Sequence, residues 1–407
     1  MTLHRCGLCS MVWALLAIAP WLPAAEPVAV ESTTVLRPGD PTPFKVFGST
    51  LKLSGEELYV SALGDGLFRG AIYVFSRNGV QWTERQKLTP PVNVKFGLLG
   101  KSFDLSGNLM VAGSPFAGTD GVSSGAAFLY ERRNGVWTLT DELVPDDRGP
   151  LSMFGWRTLI VGDQIIVTAP GHALGRGTAY VFQRVRGQWK QVEKLAPGGL
   201  RPLASFGSEV SGAQGAMLIT ALGYGDAKAS GAGTVYAYEF DRGWHQRQIL
   251  QRPNRQAGDL FGLSTAVAGD WAMIGAPQAD DIADNGGAVD LYRRGPSGWT
   301  FHETIADAAL QIEDRFGFGL DMHGTRAVIG ADFTPADAGT VAGRAEVFEL
   351  QGDTWMRIVQ LPYPDGGSDD FFGFSVAIED DHVVVGARFE DVVYERMGAA
   401  YVFKLSR

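Results

Sequence analysis

Carboxylates are the side chains of this sequence best suited to chemistry, and they crowd its loops. The densest cluster is the stretch 279–287, Ala-Asp-Asp-Ile-Ala-Asp-Asn-Gly-Gly. Asp280, Asp281 and Asp284, with Asn285, offer the hard oxygen ligands that Ca²⁺ takes in groups of six to eight. Their spacing is not that of an EF-hand loop. They are therefore candidate metal ligands without a recognised motif, and Ca²⁺ is the one cofactor they suggest. A sparser group follows at 365–370, Asp-Gly-Gly-Ser-Asp-Asp. Carboxylate pairs about 5–10 Å apart would also suit glycoside hydrolysis, but spacing along the chain does not say which acids converge.

Other chemistries find little support. Five histidines follow residue 25, His172, His245, His302, His323 and His382, and none forms an H-x-x-x-H pair. There is no G-x-S-x-G elbow and no phosphate-binding G-x-x-x-x-G-K. No catalytic or cofactor-binding residue is singled out. The chain of 407 residues carries a formal charge of -10 and no long basic run, which argues against nucleic acid as the partner.

The elements that must hold these loops come from a repeat. A decamer opening on Phe-Gly recurs from Phe47, Phe154, Phe206, Phe261, Phe316 and Phe372. The second copy is displaced: Phe96-Gly97 catches the eye, but Leu99 keeps the spacing. The starts 47, 99, 154, 206, 261, 316 and 372 are then 52 to 56 residues apart. Each unit continues with a hydrophobic run closing on a small pair, such as Gly275-Ala276-Pro277. A glycine and an alternating strand come next, as in Gly177-Thr-Ala-Tyr-Val-Phe182. A tight turn precedes a tryptophan that opens a fourth strand: Trp82, Trp137, Trp189, Trp244, Trp299 and Trp355. Each unit thus reads as four short strands joined by turns, and 53 glycines supply the turns.

One such unit is too small to bury both its faces. Seven packed in a ring would share one continuous core. The expectation is an all-β, seven-bladed β-propeller with four antiparallel strands per blade. Unit seven ends after its third strand and lacks a tryptophan strand. Residues 30–37 resemble the outer strand elsewhere, so the N-terminal strand is expected to complete the last blade. Residues 1–25 read as a secretory signal peptide with an apolar core at Met11–Pro20. The mature domain is then 26–407, without cysteine, since Cys6 and Cys9 leave with the leader. No other stretch is long and apolar enough to span a membrane.

The order Phe-Gly, then Gly-Ala-Pro, then Gly-x-x-Tyr-Val-Phe resembles the FG-GAP repeat of integrin α-chain heads and bacterial secreted proteins. The resemblance covers residues 28–407 and implies a seven-bladed propeller, often used in adhesion or ligand binding. It implies no shared enzymatic activity. The calcium loops of the integrin form have no counterpart here, because the turns between first and second strands hold only three or four residues.

In such a blade the loops joining strands two to three, and four to the next one, share a face. Here they carry Asp120, Asp146, Asp147, Asp226, Asp259, Asp280, Asp281, Asp284, Asp314, Asp332, Asp337, Asp365, Asp369, Asp370, Glu390 and Asp391. The opposite face leans basic, with Arg132, Arg133, Arg184, Arg186, Arg242, Arg293 and Arg294. The expected function is a monomeric, secreted or periplasmic, non-catalytic module whose acidic face binds a protein or glycan. The alternative is a carbohydrate-active hydrolase or lyase with paired carboxylates near the central channel.

Overall fold

The computed structural model describes residues 28–118, 124–213, 215–223, 230–307, 309–334 and 341–406. The expected leader lies outside the described residues. Seven four-stranded antiparallel sheets form the blades, six of them from strands consecutive in sequence. Blade three is typical: Thr158–Val161, Gln164–Ala169, Thr178–Val185 and Gln188–Leu195. In blade seven the strands Phe372–Glu379, His382–Ala387 and Ala399–Leu405 are joined by Val30–Leu36 at the outer edge. Its register runs from Val30 opposite Leu405 to Leu36 opposite Ala400. The ring is therefore closed by pairing the two ends of the described chain.

Burial explains the sequence pattern. Second strands are sandwiched between neighbouring blades, and Gln164–Ala169 is buried at every position. A strand covered on both faces needs an apolar run and not an alternation. Outer strands alternate instead, as Gln188–Leu195 does. The core is not one continuous mass. It consists of seven clusters, each shared by two adjacent blades, because the open channel keeps the inner strands from meeting across the axis.

The repeat-opening side chains Phe47, Leu99, Phe154, Phe206, Phe261, Phe316 and Phe372 are all fully buried. Leu99 thus takes the phenylalanine place in blade two, while Phe96 stands 62% exposed. Glycine is required where blades touch. At Gly177 (φ 88°) a Cβ would lie 2.0 Å from the Phe206 carbonyl oxygen of the next blade. Gly155, after Phe154, leaves a Cβ no room against the Ala126 carbonyl, 2.2 Å away. The tryptophans seal the joints between blades. Trp137 Nε1 donates to Tyr59 Oη at 3.2 Å, and Trp244 Nε1 to Gln164 Oε1 at 2.8 Å, each in the preceding blade.

Candidate functional site

The loop carboxylates serve first to fasten the loops. In blade one the Tyr73 hydroxyl, with one proton to donate, lies 2.7 Å from Asp40 and 2.8 Å from Asp65, and Lys45 and Lys87 pair with both acids. Asp147 is held by Tyr180 (2.7 Å), Lys194 and His172, and Asp365 by Tyr401 (2.7 Å) and Arg37 (3.2 Å). Blades five and six carry Asp290 and Glu346 where blade two carries Phe128 and the other four carry Tyr, and answer them with arginine. Arg252, almost fully buried, pairs with Asp259 (3.5 Å), Asp281 and Asp290 (3.4 Å). Arg344 and Arg357 pair with Glu346, and Arg344 also with Asp314 (3.3 Å). Asp120, Asp226 and Asp337 lie outside the described residues.

The candidate metal ligands do not converge. Asp281 is turned to Arg252. Asp280 accepts the Asn285 backbone N–H at 2.8 Å within its own loop, and Asp284 is exposed. Among the described residues no group of three or more acids, histidines or cysteines is placed to hold a metal ion. The opposite face is also largely paired: Arg132 makes a bidentate contact with Glu57, and Arg293 meets Asp353 at 2.9 Å.

The open site lies on the axis. The inner strands enclose a channel of about 510 Å³. Its wall is set by the second and third residues after each repeat start, where side chains turn inward. At the mouth these are Lys101, Trp156, Arg157, Glu209, Phe318 and Phe374, flanked by the hydroxyls of Ser49, Thr50, Ser208, Ser264 and Ser375. Lys101 Nζ stands 4.6 Å from the Trp156 ring centre, and Phe116 meets that ring edge-on. The Phe318 and Phe374 rings lie 5.1 Å apart. Arg388, just past the second strand of blade seven, stacks on Phe374 at 3.6 Å and on Phe389 at 4.5 Å.

Basic side chains outnumber acidic ones at the mouth. Arg157 binds Glu209 at 2.7 Å. Neither Lys101 nor Arg388 has a carboxylate within ion-pair distance among the described residues. Burial and the Arg157 guanidinium hold the Lys101 amine well below its ordinary value, and the Arg388 charge acts in the same direction. Burial brings Arg388 down to about 10. Beside it Asp332 is buried with one carboxylate oxygen unpartnered, and burial raises it to about 6. Deeper in the channel Lys52 pairs with Asp104 at 3.0 Å. Asp104 also accepts the Ile160 N–H (2.8 Å) and Asp321 the Ile378 N–H (2.9 Å), tying each blade to the next. Burial raises Asp321.

None of these channel residues was singled out from sequence. A signal was present, in that the repeat pins Phe-Gly but varies the two residues behind it: Ser-Thr, Lys-Ser, Trp-Arg, Ser-Glu, Leu-Ser, Phe-Gly and Phe-Ser. Positions left free by the fold are those open to a ligand.

Fold and channel together define a closed propeller that presents a polar, aromatic mouth on a rigid ring. The FG-GAP repeat model matches residues 244–292 and 355–403. Each match runs from the outer strand of one blade through the third strand of the next, and the seven-bladed ring is consistent with the FG-GAP repeat family. No curated protein matches it. No helix among the described residues is long and apolar enough to cross a membrane.

Proposed function

We propose that the protein is an exported, non-catalytic binding propeller that takes an anionic glycan at the mouth of its central channel. The observation that carries this reading is the pair Lys101 and Arg388. They are basic groups with no carboxylate at ion-pair distance among the described residues, set over aromatic rings at the opening. Half-buried Trp156, Phe318 and Phe374 supply flat apolar surface for a sugar ring, and the serine and threonine oxygens, whose protons go to backbone carbonyls, remain as hydrogen-bond acceptors. Charge-assisted contacts to a carboxylate or sulfate would set the preference. The FG-GAP architecture supports a binding role and an extracellular setting. The acidic loops then position this mouth and do not form the recognition surface.

The test is calorimetric titration with a polyuronate and with a neutral glucan. The expected result is binding of the polyuronate only, weakened about tenfold or more by Lys101→Met with Arg388→Gln, which corresponds to roughly 1.4 kcal/mol or more. Equal affinity of wild type and this variant would overturn the proposal. The carbohydrate-active alternative rests on Asp104 and Asp321 sharing one channel, the first paired with Lys52 and the second raised by burial. It requires chain cleavage during the titration that Asp321→Asn abolishes.

A further inference from the structure

All seven loops that lead into a blade share one backbone shape. The third residue before each repeat start has a positive φ: Phe44 56°, Phe96 51°, Leu151 56°, Leu203 66°, Gly258 87°, Glu313 66° and Asp369 63°. A bulky side chain in that region is a strained outlier, whereas glycine is free there and asparagine is tolerated. Blades one to four nonetheless carry Phe, Phe, Leu and Leu there, 44% to 74% exposed. Leu67 and Leu174, in the neighbouring loops of blades one and three, are also left-handed (60° and 63°) and more exposed still. The loops interlock, since Leu98 N donates to the Phe68 carbonyl and Leu203 N to the Leu174 carbonyl, both at 3.1 Å. The left-handed backbone recurs in all seven loops and so belongs to the fold; a bulky, exposed apolar side chain at that place serves neither folding nor solubility.

We propose that this arc docks the ring on an anionic lipid surface, with its phenylalanine and leucine tips inserted. The side chains stand on separate loop tips of one face and line no groove. They are Leu and Phe, without a polar handle, whereas protein interfaces concentrate energy in Trp, Tyr and Arg and use Leu sparingly. Apolar tips mixed with basic side chains are what a membrane boundary selects. Lys95 adjoins Phe96 and Arg201 lies two residues from Leu203; both are exposed and unpaired among the described residues. Arg69 and Arg176 grip the carbonyls of Pro91 (2.9 Å) and Leu200 (3.2 Å) and so present the tips rigidly. Among the described residues the arc's acids Asp40, Asp65 and Asp147 are paired with Lys45, Lys87 and Lys194, leaving Asp146 exposed; Asp120 and Asp226 lie outside the described residues. This inference does not rest on the channel-mouth reading.

The test is flotation of residues 26–407 with phosphatidylcholine vesicles, with and without a third phosphatidylglycerol. Flotation is expected only with the anionic lipid and should fade at high salt. Phe96→Asn with Leu151→Asn and Leu203→Asn should weaken it at least about tenfold. Asparagine tolerates the left-handed backbone, so the variant should melt no lower than wild type and keep its glycan titration. Glu313→Asn, at the same place on blade six, should leave flotation intact. No flotation at low salt, or flotation that survives the triple substitution, overturns the proposal. So does a dimer of wild type in sedimentation equilibrium that the triple substitution dissolves, since a second copy would then be the occupant.

Discussion

In the loop leading into blade three Leu151 stands exposed at φ 56°, and in the loop leading into blade six Glu313 takes the same place at φ 66°. One residue later the contrast repeats. Blades one to four place Lys45, Gly97, Ser152 and Ala204 there, while blades five to seven place Asp259, Asp314 and Asp370, all buried. Asp259 and Asp314 each accept a backbone N–H three residues upstream, from Gln256 (2.7 Å) and Gln311 (2.9 Å), and each meets an arginine. The acidic half of the face is thus turned inward to hold its loops. The apolar half is turned outward at a conformational cost. Identical backbones with opposite side chains separate what the fold demands from what is left for a partner.

The largest effect that sharpens this contrast should come from Arg252→Ala. It leaves Asp259, Asp281 and Asp290 buried without their cation, and removing one partner of such a cluster costs about 3–5 kcal/mol. Urea denaturation should show that loss. The matching cut on the other half, Arg176→Ala, removes only hydrogen bonds to carbonyls and should cost about 1 kcal/mol. Equal losses would dissolve the distinction between the halves.

Next in size is a pH effect at Asp332. Its folded value, about 6, lies above the ordinary aspartate value of 3.8, so the native state holds the proton more tightly. The linked stability is complete below about pH 4 and is lost as pH rises through 6. Asp332→Asn should remove that slope and, at neutral pH, stabilise by on the order of 2 kcal/mol. Thermal melts between these pH values check it; an unchanged slope would place the titration elsewhere.

Smaller still is the strain itself. Leu151→Asn should raise stability by about 1 kcal/mol, since a left-handed leucine costs about 1–2 kcal/mol and asparagine less. Glu313→Asn should gain no more. A destabilised Leu151→Asn would mean that the exposed leucine packs where the structure leaves it free. At the bottom of the scale, millimolar Ca²⁺ against EDTA should leave the unfolding temperature unchanged, because Arg252 already occupies Asp281. A reproducible calcium shift, lost in Asp280→Ala with Asp284→Ala, would restore the acidic loop as a metal site.

The repeat made the fold legible. Phe-Gly, Gly-Ala-Pro and the glycine before each third strand mark places where a backbone from the next blade passes within contact distance, so the residue type answers to a local need. Even the displaced second repeat could be placed, because Leu99 keeps the period and Phe96 does not. The candidate site was less legible. Counting loop acids suggested an acidic surface, yet a carboxylate's role depends on whether a cation from another strand reaches it. Arg252 reaches Asp281 across 29 residues and Arg157 reaches Glu209 across 52.

Sequence by itself determined the number of blades, their strand order and the closing strand, since periodic burial and turn chemistry act over neighbouring residues. Only the tertiary structure decided which charges are cancelled and which are left open. Closing the ring carries Lys101, Trp156, Phe374 and Arg388 from three separate repeats to one opening, and no spacing along a chain encodes a distance across a channel.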